Sequence, residues 1–163
     1  MLTAATAAAC TARPIDGGPI AFGGVKGINC VPTAPSLDYT YGFEAIQNPT
    51  GADAKITDVS LVHPQGLTLK AAYVAPIANR TLIGNQVGWP PPLGGQGQAW
   101  ADKRPAAGAT VPPGQDGTRN LLLHVTAHAP TARFDGIALT YQTGGKTYIR
   151  RTSVAFVIKP SCG

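Results

Sequence analysis

Glycine and proline interrupt this chain too often for long helices. Twenty Gly and fifteen Pro are spread over 163 residues. Each Pro removes a backbone donor, and each Gly permits a turn that other residues resist. Short segments fit between them, which favours many strands over a few helices. Hydrophobic residues make up 44% of the chain, enough for the core of one domain. Charged residues are only 13%, about half the usual share, so Thr, Gln, Asn, Gly and Pro must cover the surface. No apolar run approaches the roughly 18 residues of a membrane-spanning helix.

The strands can be placed by alternation. Tyr39, Tyr41 and Phe43 alternate with Asp38, Thr40 and Gly42, and Asn48-Pro49-Thr50-Gly51 reads as a turn. Ile56, Val59 and Leu61 form a second strand whose slipped alternation implies a bulge. His63-Pro64-Gln65-Gly66 suits a type I turn. Leu67, Leu69, Ala71 and Tyr73 alternate next, followed by an irregular stretch over 85–118 rich in proline. Leu121, Leu123, Val125 and Ala127 resume the pattern. Gly144-Gly145 suits a two-residue type I′ hairpin that pairs Thr143 with Lys146, Tyr141 with Tyr148, Leu139 with Arg150 and Ile137 with Thr152. Val154, Phe156 and Ile158 would continue that face, with Arg150 as its misfit. About seven strands and little helix imply an all-β domain, an Ig/fibronectin-III-like Greek-key β-sandwich. It is expected over 37–163. Residues 1–36, broken by Gly17-Gly18-Pro19, Gly23-Gly24, Pro32 and Pro35, read as a remnant leader and flexible tether.

Cys30 and Cys162 bracket the expected domain. A disulfide between them would close a loop of about 130 residues, and its chain-entropy effect is roughly 5 kcal/mol. Two buried free thiols are the alternative. Cys10 is the odd cysteine. Ala7-Ala8-Ala9-Cys10 resembles the end of a bacterial lipoprotein signal, in which the cysteine is diacylated. The sequence departs from that pattern at Ala7, where an aliphatic residue is usual, and lacks the basic and most of the apolar region. The other reading is an Ala-rich leader with an incidental Cys.

Chemistry-bearing motifs are sparse. Three histidines and four serines come without a G-x-S-x-G elbow, a P-loop or an H-E-x-x-H pair. His124 and His128 share a strand face but sit roughly 13 Å apart by strand rise, too far for one metal ion. The formal charge of +5 comes from scattered residues, among them Lys103, Arg104, Arg119, Arg133, Arg150 and Arg151. That is not the concentrated patch of a nucleic-acid protein. Trp89 and Trp100 are the ligand-binding candidates. They either cap the open end of the sandwich or form a platform for sugars or peptides, with Pro90-Pro91-Pro92 stiffening Trp89.

The run Phe43-Glu44-Ala45-Ile46-Gln47-Asn48-Pro49-Thr50 is followed by Ile56-Thr57-Asp58-Val59-Ser60-Leu61. Later, Val111-Pro112-Pro113-Gly114 leads into Leu121-Leu122-Leu123. Together these resemble secreted or lipid-anchored Ig-like envelope proteins of high-GC Gram-positive bacteria. The resemblance implies a non-catalytic extracytoplasmic domain with a structural or protein-interaction role, needing no cofactor. Its expected partner is an envelope protein or wall polymer, with membrane anchoring through Cys10. A glycan- or peptide-binding module using the 85–118 loop is the alternative.

Overall fold

The computed structural model describes residues 13–23 and 27–163. In chain order the strands are β1 (Ile15–Asp16), β2 (Ala21–Phe22), β3 (Ile28–Pro32), β4 (Asp38–Asn48), β5 (Ala54–Val62), β6 (Leu67–Pro76) and β7 (Gln86–Val87). A 3-10 turn then leads into the short helix α1 (Gly97–Ala101). After it come β8 (Arg104–Pro105), β9 (Thr110–Val111), β10 (Gly114–Ala127), β11 (Ala132–Phe134), β12 (Gly136–Thr143), β13 (Lys146–Arg151) and β14 (Ala155–Lys159). The domain is all-β, in three sheets. The first runs β1-β13-β12-β5-β9. The second runs β2-β4-β10-β6-β8, with β7 also paired to β4. The third runs β11-β14-β3.

The three sheets share one hydrophobic cluster. Tyr39, Tyr41, Leu121, Leu123 and Val125 enter it from the second sheet, Ile56, Ile137, Leu139 and Tyr141 from the first, and Phe134, Phe156 and Ile158 from the third. Tyr41 meets Phe134 and Phe156 edge-on, with centroids 5.4 and 5.5 Å apart. Burying each such side chain stabilises the fold by about 1.5–3 kcal/mol, and good edge-to-face geometry adds to that.

The hairpin has the register that its alternation specifies. Thr143 faces Lys146, Tyr141 faces Tyr148 and Leu139 faces Arg150. Gly144 and Gly145 take φ of 56° and 73°, which L side chains resist. Arg150 is exposed. The face does not continue as expected, however. The strand breaks after Arg151, where Ile137 N donates to Thr152 Oγ1 and Thr152 N to Ile137 O. Beyond the break β14 joins the third sheet, so Phe156 faces Phe134 and Ile158 faces Ala132.

Bulges explain the other departures. In β5 the slip in alternation is a bulge, because Asp58 and Ile56 face the consecutive residues Thr140 and Tyr141. In β4 the alternation through Phe43 fails. Glu44 and Tyr41 face Leu121 and Leu123, so β4 carries one extra residue around Gly42 and Phe43. Phe43 is turned to the surface, and Glu44, Ile46 and Asn48 are buried. Gly42 is required there: a Cβ would lie 2.8 Å from the Gly84 carbonyl oxygen. A third bulge, at Lys70, shifts β6 so that Val74 enters the core and Tyr73 lies on the opposite face. The turn at His63-Pro64-Gln65-Gly66 links β5 of the first sheet to β6 of the second. His63 has φ of 47°, and Gln65 pairs with Arg133 as the chain crosses between sheets.

Residues 13–23 and 27–36 pack as part of the fold, unlike the flexible tether expected there. β1 pairs with β13 and β3 with β14, both in parallel, and β2 pairs with β4. Ile20 and Val31 are buried. Ile20 N donates to the Tyr141 hydroxyl at 3.1 Å. Glycine and proline give this segment a linker's composition, but its isolated apolar residues fill gaps beside the last strands.

Candidate functional site

The outer face of the second sheet is not left to solvent. Strand parity sends Leu122 and His124 of β10 outward, beside Tyr73 of β6, away from the core. The segment between β6 and β10 folds back to cover them. Tyr39 and Thr40 of β4 pair with β7, Thr40 Oγ1 donates to Gly88 O at 2.7 Å, and Gly88 N donates to Asp38 O at 2.7 Å. These bonds deliver Trp89 onto the sheet. Its ring stacks on His124, with centroids 4.6 Å apart and planes within 2°, and on Tyr73 at 5.5 Å.

Trp100, carried by α1, meets Trp89 edge-on at 4.6 Å. The Lys103 ammonium lies 4.1 Å from the centroid of the Trp100 ring, a cation–π contact, and donates to Trp100 O at 3.3 Å. The two tryptophans singled out from sequence are therefore brought together. They sit on a face of the second sheet rather than capping an open end of the fold. Both are partly buried over Leu122, Ala75 and Ile83. Trp89 is flanked by His124, Tyr73 and Trp100, and Lys103 lies over Trp100, so neither ring is a free platform.

Beneath Trp89 lies an acid–histidine pair. His124 Nε2 is 2.9 Å from Asp38 Oδ1, and Thr126 Oγ1 donates to the same oxygen at 2.7 Å. The Thr126 hydrogen bond, then that from His124, hold the Asp38 carboxyl below the usual carboxylate range. The hydroxyl in this network is committed to the carboxylate and does not face the imidazole. His63 pairs with Asp135 at 3.3 Å, and His128 Nε2 lies 3.0 Å from Thr68 Oγ1. The three histidines thus have three separate settings. Among the described residues no group of three or more His, Cys, Asp or Glu is placed to share a metal ion.

Cys30 and Cys162 are joined, with Cα atoms 5.7 Å apart and a sequence separation of 132. The two positions meet as a disulfide, the first of the two alternatives open from sequence. The bond fastens β3 to the segment just after β14. Cys10 lies outside the described residues.

Sequence reading missed a polar latch in the interior. Asn120 is buried on β10, where its Nδ2 donates to Gly42 O and Glu44 O and its Oδ1 accepts from Ile83 N. It ties the β4 bulge to the chain that carries Trp89. Asparagine within an apolar strand run was the available signal, since strands disfavour it unless its amide is satisfied. Glu44 is also buried, and the Tyr41 hydroxyl donates to it at 3.4 Å. Burial, with Glu44 alongside, pushes the Tyr41 phenol well above its ordinary value.

No protein-family model matches the chain, and comparison with curated proteins gives no match. Among solved structures it is similar to the VesB protease of Vibrio cholerae, at 8% identity and a TM-score of 0.39. The match covers 86% of this chain and 32% of that one, so the chain spans about a third of the protease's length. A likeness at that level says nothing about activity.

Proposed function

We propose that this chain is a non-catalytic, extracytoplasmic Ig-like domain with a protein-interaction or structural role at the cell envelope. The Cys30–Cys162 bond carries this reading. Disulfides form and persist in oxidising compartments and are rare where thiols are kept reduced. Strand adjacency supports the Ig-like assignment. The orders β4-β10-β6 and β5-β12-β13 correspond to B-E-D and C-F-G of an immunoglobulin-type Greek key, with β3 running parallel to the last strand. Among the described residues no helix is long and apolar enough to cross a membrane. Attachment through an acylated Cys10 is the anchoring we propose.

The non-catalytic part rests on the Asp38–His124 pair. It is roofed by Trp89 and its hydroxyl faces the acid, an arrangement that stiffens a sheet face and activates no nucleophile. The test is the intact mass of protein recovered from its native envelope, with non-reducing peptide mapping. A Cys30–Cys162 peptide and a diacylglyceryl mass on Cys10 are expected. Recovery from the cytoplasm with free thiols would overturn the location, and an unmodified Cys10 would overturn the anchor.

A further inference from the structure

Arg119 of β10 stands where two clefts meet. One, of about 690 Å³, is lined by Ile77, Arg80, Leu82 and Gln115, and the other, of about 520 Å³, by Val74, Asp102, Arg104 and Pro105. Arg119 and Pro76 belong to both walls. Sites of this size accommodate small ligands and short peptide stretches. Arg119 is partly buried, and its guanidinium is oriented from behind. Its Nη1 donates to Asp116 O at 3.1 Å and to Thr118 O at 3.0 Å.

A guanidinium carries five N–H groups in a rigid fork. Holding Arg119 by Nη1 leaves the Nε/Nη2 edge, and among the described residues no protein acceptor meets that edge and no carboxylate pairs with the charge. Arg133 shows what such an edge takes in this molecule: its Nε, at 3.0 Å, and its Nη2 both donate to the Asp135 carboxylate. Arg80 and Arg104, one in each cleft, are exposed and also make no ion pair. Oriented arginines of this kind recognise carboxylates through paired, charge-assisted hydrogen bonds. The chain's net charge of +5 favours approach of an acidic partner.

Other lining residues narrow the ligand further. Asp102 and Asp116 also face the clefts, and Asp102 accepts from Gln98 Nε2 at 2.9 Å. Two acids among three arginines disfavour a densely anionic polymer. No aromatic ring lines either cleft, so the stacking surface typical of sugar sites is missing. Pro76, Ile77, Leu82, Val74 and Pro105 instead offer small apolar surfaces on both sides of Arg119.

We infer that the paired clefts bind an acidic peptide segment of a partner protein. One Asp or Glu carboxylate sits on the Nε/Nη2 edge of Arg119, and aliphatic side chains on either side of it rest in the two clefts. This deepens the protein-interaction role proposed above and rests on it.

The test is selection of a random dodecamer peptide library on the oxidised full chain, followed by affinity measurement with synthetic peptides. The expected outcome is enrichment of sequences with an Asp or Glu flanked by aliphatic residues. Their Kd should rise at least about 10-fold against Arg119→Gln, and as much when Gln replaces the peptide's acid, as the loss of a charged hydrogen bond implies. Should Arg119→Gln fail to fold, the exposed pair Arg80→Gln/Arg104→Gln decides, with a rise of several-fold expected. Absence of an acidic motif, or affinity unchanged in these variants, would overturn the assignment. So would displacement of the peptide by oligogalacturonate at equal affinity, which would make the site one for acidic glycans. Location is tested separately: a reduced, cytoplasmic protein would sink the envelope reading and leave the peptide result standing.

Discussion

Replacing both Cys30 and Cys162 with Ser tests how the fold is held. The bond closes a loop with a sequence separation of 132. In the chain-entropy account, a cross-link of that span removes about 5 kcal/mol of freedom from the unfolded ensemble. A domain of this kind has about 5–15 kcal/mol of total stability, so the loss is a third of it or more. At 2–4 °C per kcal/mol, Tm should fall by roughly 10–20 °C. Two features compete with that figure. The bond lies beside the parallel β3–β14 pairing, which also holds Ile28–Pro32 against Ala155–Lys159. Cys162 lies in the exposed last few residues, so its loss could act as local fraying. Calorimetry separates these, run on wild type, on wild type reduced with a phosphine, and on the double variant. A matching drop in the last two, with a larger denaturant slope, supports constraint of the unfolded state. A shift under 3 °C, with faster hydrogen exchange confined to 28–32 and 155–159, would refute the loop-entropy reasoning and leave only a local clasp.

Trp89→Ala should cost about 2–3 kcal/mol, below the range for fully buried tryptophans because the ring is only partly covered; an unshifted urea midpoint would remove its structural role. Asp38 has a depressed folded-state pKa, so its contribution is present above its unfolded value near 4 and is lost as pH falls through the folded value. Wild type should therefore lose more Tm than Asp38→Asn between pH 5 and about pH 2, and parallel curves would contradict the hydrogen-bonded carboxylate. Gly136→Ala should destabilise by several kcal/mol, because its Cβ would meet Thr152 O at 2.3 Å. Gly97→Ala, with open space and a helical setting, should be neutral or better by urea unfolding.

What was legible in the sequence was what neighbouring residues decide. Gly144-Gly145 sets its own turn, and alternation on either side then fixes Tyr141 opposite Tyr148. The slip between Ile56 and Val59 announced its bulge. Phe43 was misplaced because the β4 bulge depends on Gly84 approaching Gly42 from a distant loop. The break after Arg151 carries no Gly or Pro; it is made by Thr152 capping Ile137 and by Phe134 and Phe156 meeting in another sheet. Trp89 and Trp100 were recognisable as a pair worth locating. Their seat on Tyr73 and His124 depended on the Lys70 bulge, which turned Tyr73 outward. Arg119 looked like one scattered cation among many, because nothing local marks the backbone carbonyls of Asp116 and Thr118 as its holders.

The bond between Cys30 and Cys162 also defines a route for mechanical load. A pull applied to the chain before residue 30 and after residue 162 passes from one sulfur to the other through a covalent link. Every strand from β4 to β14 lies inside that loop and bears none of the tension, because the backbone between the two cysteines is bypassed. Stretching would strip β1 and β2 from their neighbours first, since they precede the link. The rest of the sheets would keep their shape until the sulfurs were reduced. For a pull between those two flanking segments, the clefts around Arg119 stay outside the line of force.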